Sequence, residues 1–242
     1  MSSRCFAFAL IIAVSVTAVA GASPSLAACE TAVPPGGACE PVYADPAVNT
    51  PPVRIGGGVR GAGAIDVQVV GLAPDHLGFA AEDQPTLYWY VSQAVPMRLE
   101  FTIVSPTTSV PVFDRTIEPA TLAGIQALRL ADFGVRLKPD VEYRWFVSIV
   151  TDEESRSSDI LASGTIRYRV PSAALVADLQ KAADPIAKAS VYARAGIWYD
   201  AIDTISRAID TAPNDVALHQ ARAALLQQVG LAAAASYDVS TE

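Results

Sequence analysis

The chain has 242 residues, 51% of them apolar, with 17 Lys and Arg against 25 Asp and Glu and a net charge of −8. That acidic balance leaves no basic footprint for nucleic acid and no charge attraction to anionic lipid. Its two histidines, His76 and His219, stand far apart with no nearby cysteine or carboxylate cluster, which argues against zinc or triad chemistry, because each needs several partners at defined spacing.

Residues 1–27 read as a secretory signal: Arg4, an apolar run from Phe6 to Ala20, then the small residues Ser25-Leu26-Ala27. The apolar run is about 15 residues, short of the roughly 20 a membrane helix needs, and no later segment is a candidate span. Leu26-Ala27-Ala28-Cys29 also fits a lipoprotein processing box, which would make Cys29 a lipidated terminus. Alternatively Cys29 and Cys39 close a small disulfide loop in an oxidising compartment. The two fates of Cys29 exclude each other.

From Ala28 to Ala64 the chain is rich in Pro and Gly and lacks periodicity, the composition of an extended, largely disordered leader. Gly56-Gly57-Gly58-Val59-Arg60-Gly61 matches a dinucleotide fingerprint in form only. That motif needs a strand before it and a helix after it, whereas Pro51-Pro52 precede and a strand pattern follows.

Seven short alternating runs follow: 65–70, 86–91, 97–104, 110–117, 125–130, 141–150 and 165–170. Pro or Gly stands between or beside them, and the spacing predicts a β-sandwich over 65–170. Leu137-Lys138-Pro139 followed by Tyr143 resembles the tyrosine corner of fibronectin type III and immunoglobulin-like domains. In 141–150 both faces carry large apolar groups, Tyr143 and Trp145 on one and Phe146 on the other, so the strand is expected to be covered twice. Thr86 to Val91 repeats the pattern, with Leu87, Trp89 and Val91 opposite Tyr88 and Tyr90.

After Pro171 the period changes from 2 to 3.6. Ser172 caps a helix to about Ala182, Asp184-Pro185 opens a second that Gly196 ends, 198–211 forms a third, and Asn214 caps a last helix to Gln228. The remainder, 231–242, reads as a tail. Ala189, Tyr192, Gly196, Trp198, Ala201, Ile205, Ala208 and Pro213 are similar in spacing to one tetratricopeptide repeat, although Pro185 and Lys188 depart from it. A lone repeat cannot bury its apolar face. The helical subdomain, 171–230, is therefore expected to lie on the sandwich and cover Tyr88, Tyr90 and Phe146, with Trp198 and neighbouring Tyr199 against them. Left uncovered, such aromatics would instead form a carbohydrate-binding platform.

Four pieces in order, Pro85 to Tyr90, Glu100-Phe101, Tyr143 to Phe146 and Gly196 to Ala201, resemble the bacterial domain of unknown function 928 family, over roughly Arg54 to the final helix. The resemblance implies an exported protein of unassigned activity and carries over no catalytic residue. It also implies cysteines near the first strand and after the Tyr-Arg-Trp strand; this chain has Gly63 and Thr151 there, so such a bridge is missing.

No catalytic constellation or cofactor motif stands out. Asp152, Glu153, Glu154 and Asp159 cluster in a Ser-rich loop that could offer oxygens to calcium, but the glycine-centred EF-hand spacing is missing, and a solvated hairpin loop is the plainer reading. The expected function is a non-catalytic protein-interaction or assembly module of the cell envelope, periplasmic or secreted, with an envelope protein or peptide as partner. Glycan binding is the alternative, and a hydrolase a third.

Overall fold

In a computed structural model the described residues are 40–46, 54–58, 67–106, 108–120 and 122–240. The signal segment, Cys29, Cys39 and Gly61 to Ala64 lie outside them.

Among the described residues, nine strands form two sheets. β1 (Gly56–Gly58), β2 (Gln68–Gly71), β4 (Thr86–Val91) and β7 (Gly124–Arg129) make an antiparallel sheet in the order β1-β2-β4-β7. β3 (Gly78–Ala80), β9 (Ile160–Tyr168), β8 (Glu142–Ile149), β5 (Leu99–Val104) and β6 (Phe113–Ile117) make the other, in the order β3-β9-β8-β5-β6, parallel only between β3 and β9. The inner faces meet in a core rich in aromatic rings: Phe101 lies 5.8 Å from both Trp89 and Trp145 and stacks on the latter at 6°. Each such ring contributes about 1.5–3 kcal/mol by leaving water.

The two lateral sides of the sandwich differ. On the β2/β9 side the sheets come together over the Trp145 indole, where a Cβ on Gly71 or Gly164 would stand 2.6 and 2.8 Å from ring atoms. Only glycine admits that approach. Residues 54–58 close this side: Ser163 N donates to Ile55 O at 2.9 Å, and the next three residues pair with β2. On the opposite side β6 and β7, the last strands of their sheets, leave the sandwich open.

The chain enters β8 through Asp140, in the left-handed conformation (φ 59), and Lys138 N donates to Tyr143 Oη at 3.1 Å, the corner bond anticipated for this turn. Double cover, however, falls on β4 and not on β8. All six β4 residues are buried, whereas β8 alternates, leaving Arg144 exposed and Phe146 and Ser148 half-buried.

Five helices follow: α1 (Ala173–Lys181), α2 (Pro185–Arg194), α3 (Trp198–Thr211), α4 (Val216–Gln228) and α5 (Ala232–Ser240). Ser172 Oγ accepts from Leu175 N, and Asp184 Oδ1 from Ala187 N. Gly196 (φ 72) turns the chain between α2 and α3 in a conformation costly for other residues. The α4 cap is Asp215, whose carboxylate accepts from Ala217 and Leu218 N, and not Asn214. The expected tail is helical: α5 packs on α4 through Asp238, which pairs with Arg222.

The leader also departs from expectation. Residues 40–46 run along the helices as a strap, with Ala44 N donating to Ala193 O at 3.0 Å, and Arg54 Nη1 donates to Ala73 O and Val229 O at 2.9 Å each. These contacts hold parts of a Pro/Gly-rich segment that has no periodicity to advertise them. Gly56 to Gly58 belong to a sheet edge, and the next described element is the strand β2.

Candidate functional site at the open edge of the sandwich

The aromatic residues singled out in the sequence join the sandwich to the helices. Tyr88 and Tyr90 point from β4 toward them: Tyr88 Oη donates to Asp203 Oδ1 at 2.8 Å, and the Tyr90 ring lies 5.6 Å from Tyr237 on α5. Trp198 Nε1 donates to Leu72 O at 2.9 Å. Tyr199 Oη accepts from Trp145 Nε1 at 3.0 Å and donates to Thr165 O at 2.8 Å. Tyr88, Tyr90, Trp198 and Tyr199 are all buried, so they offer no exposed platform to a sugar. Phe146 stands apart on β8, half-buried beside Thr102 and Ser163, outside the cover expected from the helices.

The most perturbed acid is Asp200, the third residue of α3. Burial pushes its carboxyl up to about 7, against the pull of the Ala81 N–H that it accepts at 2.8 Å; the charges of Glu82 and Asp203 push the same way. Burial also raises the neighbouring Tyr192 phenol to about 12, helped by Asp200, Glu82 and Asp203. Asp200 is enclosed between α3 and the end of β3, a place for a tie and not for a group that meets substrate.

His219 Nδ1 lies 2.7 Å from Asp238 Oδ1, and Ser206 is close by, but Ser206 Oγ accepts from Arg222 and makes no bond to the imidazole. The residue types of a hydrolytic triad are present without its nucleophile–base bond. Among the described residues no three His, Cys, Asp or Glu converge on a point where a metal could sit. In the 152–159 loop Arg98 pairs with Glu153, Arg156 with Asp159 and Glu100, and Asp152 Oδ1 accepts from Glu154 N.

The open side between β6 and β7 carries two surface hollows. A hollow of about 400 Å³ is lined there by the apolar Trp89, Ile117, Pro119, Leu128 and Phe133 and by the polar Glu118, Gln126, Arg129 and Asp132. A second, of about 370 Å³, is lined by Val110, Pro111, Val112, Phe113, Phe133 and Val135, with the charged Asp114 and Arg115 beside them. Phe133, on a single 3-10 turn at Leu130–Phe133, is the ridge between them; it is 48% exposed and packs edge-on to Phe113 at 5.0 Å. Val110 and Leu122, exposed by 72% and 74%, extend the apolar rim.

Trp89, in the wall of the first hollow, is 3% exposed, and its buried Nε1–H has no acceptor among the described residues. A buried donor left unpaired costs roughly 1–3 kcal/mol, a cost the fold carries at this position. Sequence reading placed Trp89 on the inner face of its strand. It missed the hollow because the ridge comes from a turn more than forty residues away.

The architecture is a two-sheet sandwich followed by five helices. The sequence model of the family described as Domain of Unknown Function (DUF928) matches residues 55–239, and the chain belongs to that family. No curated protein matches the chain.

Proposed function

We propose that this protein is an exported, non-catalytic interaction module of the bacterial cell envelope that docks a protein partner along the open β6/β7 side. The observation that carries the reading is the exposed apolar ridge of Phe133, Val110 and Val112 beside two strands at the ends of their sheets. An extended polypeptide supplies what such a surface needs: backbone groups for a strand edge and side chains for the hollows.

The finer class is an immunoglobulin-like sandwich of fibronectin type III character with a tetratricopeptide-like helix pair. The Lys138–Tyr143 corner bond supports the first, as does the β4–β7 pairing opposite the β9-β8-β5-β6 run. The second is supported by the antiparallel packing of α2 and α3 through Ala189, Ala193, Ala201 and Ile205, all fully buried. Export to the periplasm or beyond rests on the signal-like residues 1–27. No helix among the described residues is long and apolar enough to cross a membrane.

Crosslinking in intact native cells, followed by affinity purification and mass spectrometry, tests the proposal. Phe133→Asp and Val112→Asp alter exposed side chains and leave the core in place. Each is expected to remove one dominant envelope protein from the crosslinked set while the far-UV spectrum stays that of the wild type. An unchanged crosslinked set with both variants would overturn the docking surface.

A further inference from the structure

Residues 40–46 are held as a bound peptide is held. The Gln228 side chain, at the end of α4, accepts from Tyr43 N at 2.8 Å through Oε1 and donates to Pro41 O at 2.9 Å through Nε2, so one amide reads both backbone polarities of an extended segment. Ala44 N bonds the last turn of α2 at Ala193 O. The Tyr43 ring sits edge-on to Trp198 (5.1 Å, 75°) and nearly parallel to the His76 ring (6.0 Å, 15°), with its hydroxyl 3.1 Å from His76 Nε2. Asp45 Oδ1 stands 3.5 Å from the same nitrogen, and Asp75 flanks Nδ1. Gly196 leaves the path clear: a Cβ there would come to 3.2 Å from Ala44 O.

The strap nonetheless belongs to no sheet or helix. Pro41 is buried and Tyr43 half-buried, while Val42, Ala44 and Asp45 are exposed. Its attachment is the Gln228 amide, the Ala193 carbonyl, the Trp198 and His76 rings around Tyr43 and the His76 contacts of the Tyr43 hydroxyl and Asp45, a set a second chain can reproduce. Arg54, bonded to Val229 O beside Gln228, remains a separate anchor after the strap lifts, so the released segment stays near its cleft. A short tether of this kind gives an effective concentration of the order of millimolar. Weak intrinsic affinity is then enough to keep the cleft filled, and a partner must exceed it.

We infer that this corner of α2, α3 and α4 is a peptide-recognition cleft for an extended Pro-x-Tyr-x-Asp segment, that residues 40–46 are its resident ligand, and that a partner protein's segment of the same chemistry exchanges with them. The inference is independent of the β6/β7 docking surface.

The test uses the full chain carrying Tyr43→Ala and, as probe, a labelled capped peptide of the strap sequence, Glu-Pro-Val-Tyr-Ala-Asp-Pro, followed by fluorescence anisotropy. The variant is expected to bind the peptide about tenfold more tightly than the wild type, whose cleft is filled. Adding Gln228→Ala to the variant should reverse that gain by about tenfold. Equal binding by wild type and variant, or no loss with Gln228→Ala, would overturn the inference. Native-state hydrogen exchange on the unaltered protein is a second reading that needs no variant. The Tyr43 and Ala44 amides are expected to open well before that of Ile103 in β5, whereas opening together with Ile103 would make the strap a permanent part of the core and sink the idea.

Discussion

Burial sets an electrostatic cost on the carboxyl of Asp200. Its carboxyl is raised to about 7 by burial from an ordinary value of 3.8, so the folded chain holds the proton more tightly than the unfolded one. Its contribution to stability is therefore complete below about pH 4 and is lost as pH rises through about 7, a loss of a few kcal/mol in order of magnitude. Asp200→Asn still accepts from Ala81 N and cannot ionise. In thermal unfolding the variant is expected to melt above the wild type at pH 8, and the difference should close by pH 4; parallel curves at both pH values would mean that Asp200 is not the group responsible. Asp200 stood in plain view in the Gly196 to Ala201 stretch. Its role did not, because the bond that explains it reaches across 119 residues to Ala81.

Among the elements, those with local punctuation were legible. Pro85 opens β4 and Asp184-Pro185 opens α2, and both run where proline and capping chemistry put them. Elements defined by a distant partner were not. β3 has three residues and exists through its parallel pairing with β9, and α5 opens on an alanine run that carries no cap signal. What fixes α5 is the 1% exposed Asp238 carboxylate, bonded by both Arg222 Nε and Nη2 at 2.7 Å. Asp238→Ala leaves the Arg222 guanidinium buried without its counter-charge and is expected to lower unfolding free energy by roughly 3–5 kcal/mol in urea titration. A loss below about 1 kcal/mol would show that α5 is held by its apolar contacts instead.

At the scale of the molecule, the described residues from Glu40 onward fall in one compact unit, because Tyr88, Tyr90, Trp198 and Tyr199 are shared between sandwich and helices. Unfolding in urea is accordingly expected to be a single transition, with helical far-UV and aromatic near-UV signals coinciding; a helical signal lost first would separate the two parts. The change of period after Pro171 announced the two kinds of structure. It did not announce which strand would join them, since β4 and β8 carry the same double-faced pattern and only the path of the chain sets the helices on β4. The open side was equally hidden, because its two walls, β6 and β7, are paired with their own sheets and not with each other.

The Gln228 clamp has a mechanical consequence. Tension applied to the chain ahead of Glu40 reaches the two bonds from Gln228 and the one from Ala193 before it reaches Arg54 or β1. The strap is thus the first part of the fold that such a pull would load, ahead of either sheet.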